Sequence, residues 1–328
     1  MLVDQLGRSI INLRISVTDR CNFRCVYCMP EEGMKWLPRD GILTFEEIER
    51  LARVFCALGI RKLRLTGGEP LLRHDLHELV RMLVAVPGVE DIALTTNGVL
   101  LAEQAEALAR AGLRRVNVSL DSLERETFEA VARRDALDRV LAGLDAAATY
   151  FEGAIKVNAV LIRGINDHEI LEFAELARRP RFEVRFIEYM PLDAQRAWSM
   201  DRIVSGEEIR RSIHERYPLC RESGDDSRAP SQDWVFADGI GGKVGFIDSV
   251  TAPFCDHCNR IRMTADGKLR TCLFSTGETD LLSLVRGAAD DEEITRVIRD
   301  AVWKKEPGHK INQPDFVPAS RSMSQIGG

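Results

Sequence analysis

Between Ile10 and about Ile187 the chain alternates strand-like and helix-like stretches six times, and this repeat limits its fold more than any other feature. Short runs rich in Val, Ile, Leu and Thr stand at Ile11–Val17, Lys62–Thr66, Asp91–Thr95, Arg115–Leu120, Ile155–Leu161 and Val184–Ile187. Helical periodicity falls between them. Thr44-Phe45-Glu46-Glu47 forms a capping box that opens a helix closed at Gly59. Further helical patterns lie at Leu76–Val86, Leu101–Ala111, Leu137–Phe151 and Ile170–Arg178, the last behind a second box, Asn166-Asp167-His168-Glu169. Consecutive βα units predict a parallel sheet, which right-handed crossovers curl toward a barrel. A doubly wound open sheet is the other architecture. In both, ligands gather at the C-terminal ends of the strands.

After Met190 the pattern changes. Ser205-Gly206-Glu207-Glu208 caps another helix, residues 222–233 are polar like a surface loop, and strands are expected at Trp234–Ala237 and Lys243–Asp248. Two helical patterns, Asp280–Arg286 and Glu292–Lys304, precede a Pro-rich tail. The expected domains are residues 1–190 and 191–328. An apolar share of 45% with 29% charged residues marks an ordinary globular protein. No apolar run approaches the ~18 residues of a spanning helix, so no membrane is expected. The net charge of −6 argues against a general nucleic-acid binder.

The chain has eight cysteines, six of them in two groups. Without a secretory segment they point to metal or redox work in the cytoplasm rather than to disulfides. Cys21, Cys25 and Cys28 put three thiols within eight residues, and no fourth Cys or His follows until Cys56 and His74. Such a set suits a [4Fe–4S] cluster with one open iron, and a zinc knuckle is the alternative. Cys255, Cys258 and Cys272 offer three thiols again, with His257 as a candidate fourth ligand if the metal is zinc. Cys56 sits in a helical pattern and reads as a buried structural thiol. Thr66-Gly67-Gly68-Glu69-Pro70 follows a strand, where glycines let a ligand approach the backbone and Glu69 can accept from an ammonium group. Arg260 and Arg262 lie on one side of an extended segment, as phosphate ligands would.

Several of these motifs resemble those of one family. Cys-x3-Cys-x2-Cys with Tyr27 before the third thiol, and the Gly-Gly-Glu-Pro, are similar to the signatures of radical S-adenosylmethionine (SAM) enzymes. The run Leu13–Arg20, Arg64, Thr95-Thr96-Asn97-Gly98, Arg185–Pro191, the second Cys triplet and the ending Gly327-Gly328 resemble the GTP 3′,8-cyclase family, also called molybdenum cofactor biosynthesis protein A. Nearly the whole chain takes part, except residues 222–233.

The resemblance implies an α/β fold, a six-unit partial TIM-type barrel with a C-terminal α+β iron–sulfur domain. It implies two [4Fe–4S] clusters, held by Cys21, Cys25 and Cys28 and by Cys255, Cys258 and Cys272. SAM would contact Tyr27, Gly68, Glu69, Ser119 and Met190. GTP would contact Arg14, Arg64, Thr95, Lys156, Arg260 and Arg262, and Arg14, Gly327 and Gly328 would serve catalysis. The implied reaction begins when a 5′-deoxyadenosyl radical takes the 3′ hydrogen of GTP; the ribose radical then attacks guanine C8. The partners implied are an external electron donor and the next pathway enzyme, cyclic pyranopterin monophosphate synthase; a homodimer stays open. A radical SAM enzyme acting on a peptide would lack the phosphate-binding arginines and the Gly-Gly ending, and an electron carrier would need neither the Gly-Gly-Glu-Pro nor an open iron.

Overall fold

The computed structural model describes residues 1–192, 198–222, 229–319 and 321–327. Six parallel strands lie side by side in chain order: β1 (Asn12–Ser16), β2 (Lys62–Thr66), β3 (Asp91–Thr96), β4 (Arg115–Ser119), β5 (Ile155–Leu161) and β6 (Phe182–Glu188). Helices α1 (Phe45–Ala57), α2 (Leu76–Val84), α3 (Leu101–Arg110), α4 (Arg125–Ala132), α5 (Leu137–Tyr150) and α6 (Ile170–Ala177) connect them. A parallel sheet covered on both faces would read as unbroken apolar runs. These strands instead alternate. Leu13, Ile15, Leu63, Leu65, Val116, Val118, Val157 and Val184 are buried in the core that the helices cover. Arg14, Arg64, Asn117, Lys156, Asn158 and Arg185, at the intervening positions, line a cavity.

Residues after 190 do not form a sheet of their own. Following α7 (Gly206–Arg216), they supply β7 (Leu219–Arg221), β8 (Gln232–Phe236), β9 (Lys243–Ile247), β10 (Arg260–Met263), β11 (Lys268–Arg270) and β12 (Thr279–Asp280). β9 pairs in parallel with β6, and β10 pairs in parallel with β1, so the parallel run grows to eight strands. The physical reason is the edge: an open barrel leaves unpaired N–H and C=O groups on β1 and β6, and these strands satisfy them. The antiparallel strands β7 and β8 extend one margin, β11 and β12 the other. The two margins do not pair with each other, so the barrel is partial.

Helices α8 (Leu282–Arg286), α9 (Asp291–Trp303) and α10 (Met323–Ile326) complete the chain. A small second core of Leu192, Ile203, Val250, Phe274 and Ile311 packs with Met323 and Trp198. The Thr44 capping box has both its bonds, Glu47 N to Thr44 Oγ1 at 3.2 Å and Thr44 N to Glu47 Oε2 at 2.7 Å. The expected Asn166 box is absent. Asn166 Oδ1 accepts from Ile162 N at 2.7 Å and its amide donates to Asp121 O at 2.6 Å, while Glu169 Oε2 accepts from Leu123 N at 2.6 Å. The motif therefore ties the end of β5 to the end of β4 instead of opening α6. Residues 223–228 of the polar loop lie outside the described residues.

Candidate active site

One cavity of about 490 Å³ opens inside the barrel. It is lined by all six clustered cysteines, by Arg14, Arg64, Thr95, Lys156, Arg260 and Arg262, and by Tyr27, Gly68, Glu69, Ser119 and Met190. Side chains from eight parallel strands meet there, which requires the sheet to wrap around it. All eight cysteines are free thiols.

The first triplet sits on the loop after β1. Cys28 N and Met29 N both donate to Cys25 O, at 2.9 and 3.0 Å, which turns the loop back on itself. Gly68 N donates to Thr18 O and Glu69 N to Arg20 O, each at 2.7 Å. A Cβ on Gly68 would strike the carbonyl oxygens of Asp19 and Arg20. The two glycines thus admit the backbone of the cysteine loop itself, not only a ligand. Glu69 is buried, and its carboxylate already accepts from Leu71 N at 3.0 Å, Thr96 Oγ1 at 2.6 Å and Asn97 N at 2.7 Å. Burial raises its pKa to about 7 despite these donors. Tyr27 Oη donates to Asp121 Oδ2 at 2.5 Å, and burial brings Asp121 to about 6. Burial, joined by Glu69, pushes the Cys21 thiol up to about 11; burial, joined by Cys21, pushes Cys28 up to about 12. A bound metal replaces those protons and offsets the cost of the thiolates.

The second triplet has more cations around it, although burial still pushes Cys255 and Cys272 up. Burial pushes Cys258 up, but Lys305, Arg260 and hydrogen bonds from Arg260 outweigh it and hold the thiol below its ordinary value. The Arg260 guanidinium lies 3.8 Å from Cys258 Sγ and 4.9 Å over the Phe254 ring. Arg8, salt-bridged to Asp4 at 2.6 Å, donates to Cys255 O at 2.8 Å. Sequence reasoning missed Arg8, Asp121 and Lys305, whose importance rests on burial and on partners more than ninety positions away in the chain for Arg8 and Asp121.

Between the triplets stands a cationic wall. Parallel register sets Arg262 beside Arg14 and Arg14 beside Arg64, one arginine from each of β10, β1 and β2. Among the described residues none of these three has a carboxylate within ion-pair distance. Burial, then Arg262 and Arg260, hold Arg14 well below the usual guanidinium range; burial, then Arg260, bring Arg262 down to about 10. Arg64 donates to Thr95 Oγ1 at 3.3 Å. Across the cavity the cations are paired: Lys156 with Glu183 at 2.8 Å, Arg185 with Asp233 at 3.4 Å and Arg115 with Asp91 at 2.9 Å.

The C-terminal turn spans both sides. The Ser324 backbone hydrogen-bonds the Cys28 thiol, and Ser322 Oγ lies 3.2 Å from Met34 Sδ. Gly327 O accepts from Arg262. Gly327 is buried at φ +85°, where a Cβ would lie 3.0 Å from Thr66 Cγ2 and 3.1 Å from Ser16 Cβ. Only glycine fits that gap without strain. Gly328 lies outside the described residues.

Residues 15–177 match the model of the radical SAM superfamily, and residues 182–311 match Molybdenum Cofactor Synthesis C. The fold resembles that of Streptococcus suis SuiB bound to S-adenosylmethionine, with a TM-score of 0.58 at 14% identity over 97% of this chain and 75% of that one. Methylornithine synthase gives 0.51 at 18% identity over 63% of this chain and 62% of its own. Together the barrel and the thiol loop at its mouth make this a radical SAM protein, a class that works with a [4Fe–4S] cluster and SAM. Three thiols of one loop, facing a cavity, are a donor set that fits such a cluster.

Curated relatives narrow the class. GTP 3′,8-cyclase of Rhodopirellula baltica is 46% identical over 100% of this chain and 92% of its own length, and GTP 3′,8-cyclase of Streptomyces coelicolor is 47% identical over 100% and 96%. The chain belongs to the GTP 3′,8-cyclase family.

Proposed function

We propose that this chain converts GTP to (8S)-3′,8-cyclo-7,8-dihydroguanosine 5′-triphosphate, the first step of molybdenum cofactor biosynthesis, with residues 1–190 forming the radical SAM barrel and residues 191–328 adding the second thiol triplet, further nucleotide contacts and the C-terminal glycines. The observation that carries this reading is the arginine row of Arg262, Arg14 and Arg64, which among the described residues has no carboxylate within ion-pair distance. Buried cations this close repel one another, and a triphosphate supplies counter-charge. Each charge-assisted hydrogen bond contributes ~1.5–3 kcal/mol. Arg260, braced on Phe254, extends the row. Thr95 steadies Arg64. Lys156 reaches the nucleotide with its charge already balanced by Glu183.

A second [4Fe–4S] cluster on Cys255, Cys258 and Cys272 fits the same test as the first, three free thiols on one wall of the cavity. When bound, the clusters and SAM supply a 5′-deoxyadenosyl radical and electrons. Tyr27, Gly68, Ser119 and Met190 surround SAM in this reading, and Glu69 fixes the turn that carries Gly68. Gly327, threaded between Ser16 and Thr66, shields the reacting ribose from water and steers Arg262. An external electron donor, and cyclic pyranopterin monophosphate synthase as acceptor of the product, are the partners required. The reducing cytoplasm is the compartment in which eight free thiols persist.

The test is anaerobic reconstitution, iron counting and an assay of 5′-deoxyadenosine with and without GTP. The reading predicts about eight irons per chain and SAM cleavage that depends on GTP. About four irons, or cleavage indifferent to GTP, contradicts it.

A further inference from the structure

A lysine behind the second triplet has no part in the reaction as described so far. Lys305 follows α9 and is 2% exposed, one of the largest fully buried side chains in the chain. Its ammonium donates to Thr271 O, the carbonyl just before Cys272. Among the described residues no carboxylate lies within ion-pair distance of it. A buried ammonium is costly without counter-charge, and packing alone would be better served by an apolar side chain.

The ammonium is fixed on the carbonyl that precedes Cys272, and its segment packs on Cys255 at Gly308, so besides the adjacent Glu306 the nearby groups that can become anionic are the thiols of the triplet. Lys305 does not line the cavity, whereas the three cysteines and Arg260 do. Other cations act on the triplet as well, but each is shared: Arg8 is salt-bridged to Asp4, and Arg260, 3.8 Å from Cys258 Sγ, also lines the cavity. The segment is also held in place. Gly308 packs so closely on Cys255 that a Cβ would lie 3.0 Å from its Cβ and 3.2 Å from its Sγ, and Glu306 accepts from Thr271 Oγ1 at 2.7 Å. Around the first triplet the close charges include the carboxylates Glu69 and Asp121 beside Arg24.

We infer that Lys305 is the permanent counter-charge of the second triplet: a positioning residue outside the substrate cavity that makes a cluster on Cys255, Cys258 and Cys272 easier to reduce and its open iron a stronger acceptor for a ligand. The inference rests on the two-cluster reading. Three thiolates more than cancel the charge of an oxidised cluster core, and net charge and hydrogen bonds to the sulfurs set cluster potentials. A fixed ammonium therefore favours the reduced form.

The test is a redox titration followed by electron paramagnetic resonance on the reconstituted full chain, with and without SAM, for the unsubstituted protein, Lys305→Met, Lys305→Gln and Lys305→Arg. The signal that SAM perturbs reports the first cluster, and the other reports the second. Both neutral variants are expected to move the second midpoint to more negative potential and leave the first unmoved, while Lys305→Arg stays near the unsubstituted value. Selective loss of the second cluster's iron in both neutral variants, with retention in Lys305→Arg, supports the same role. Full iron content with an unmoved second midpoint in the neutral variants overturns it, as does loss of that cluster in all three variants. A missing SAM-insensitive signal in the unsubstituted protein overturns the two-cluster reading itself, before any substitution is made.

Discussion

The two thiol triplets offer the same ligands in different electrostatic settings. Cys21, Cys25 and Cys28 sit among buried carboxylates, Glu69 and Asp121, and all three thiols are pushed up. Around Cys255, Cys258 and Cys272 stand Arg8, Arg260 and Lys305; burial still pushes Cys255 and Cys272 up, whereas Cys258 is held down by Lys305 and Arg260 against its burial. Negative surroundings favour a cluster that gives up an electron. Positive surroundings favour one that binds an electron-rich ligand and tolerates a polyanion beside it. Position follows charge: the arginine row adjoins the second triplet through β10, and the Gly-Gly-Glu-Pro turn adjoins the first.

The widest separation between the two is expected from cysteine removal. Cys28→Ala should abolish SAM cleavage. Cys258→Ala should leave some 5′-deoxyadenosine but no cyclised nucleotide, because the radical source survives. Chromatographic yields of both products check this, and normal cyclisation by Cys258→Ala would make the second triplet structural only.

Gly327→Ala comes next. Its Cβ has no room between Ser16 and Thr66 and its φ is positive, so the turn must leave its seat. Product should fall steeply while iron content and SAM binding persist. Unchanged yield would detach the C-terminal turn from the site.

Removing a row arginine should cost less. Arg14→Ala is expected to weaken GTP binding by ~1.5–3 kcal/mol, about one to two powers of ten, with guanosine nearly unaffected. Calorimetry on both ligands decides, and equal losses would mean the side chain holds the fold.

The smallest effect belongs across the cavity. Lys156 and Glu183 cancel each other, so the double variant Lys156→Ala, Glu183→Ala should change GTP affinity by less than about 1 kcal/mol. A loss as large as that of Arg14→Ala would erase the distinction between the paired and unpaired walls.

The parallel strands and five of their helices were legible because periods of 2 and 3.6 are local properties. Helix α4 escaped because Arg125–Ala132 is short and buries only Phe128, Val131 and Ala132. Strands β7, β11 and β12 escaped because they are two or three residues long, and the extended segment that becomes β10 gave no sign that it pairs with distant β1. The thiols and the pair Arg260 and Arg262 were legible from spacing, Arg14 and Arg64 only through the family resemblance. Their electrostatics were not: nothing in Trp303-Lys304-Lys305-Glu306 distinguishes exposed Lys304 from buried Lys305. Likewise the sequence reads Glu69 as an acceptor for an ammonium group but does not reveal that three donors of the fold already hold its carboxylate at the cavity wall.

The division of labour between the two sides is tested most directly by isotope transfer. GTP deuterated at the ribose 3′ position is turned over anaerobically with SAM, and 5′-deoxyadenosine is analysed by mass spectrometry. If a radical made beside Cys21, Cys25 and Cys28 reaches a nucleotide held by Arg14, Arg64 and Arg262, the deuterium appears in 5′-deoxyadenosine. Deuterium-free 5′-deoxyadenosine formed alongside cyclised product would contradict the account.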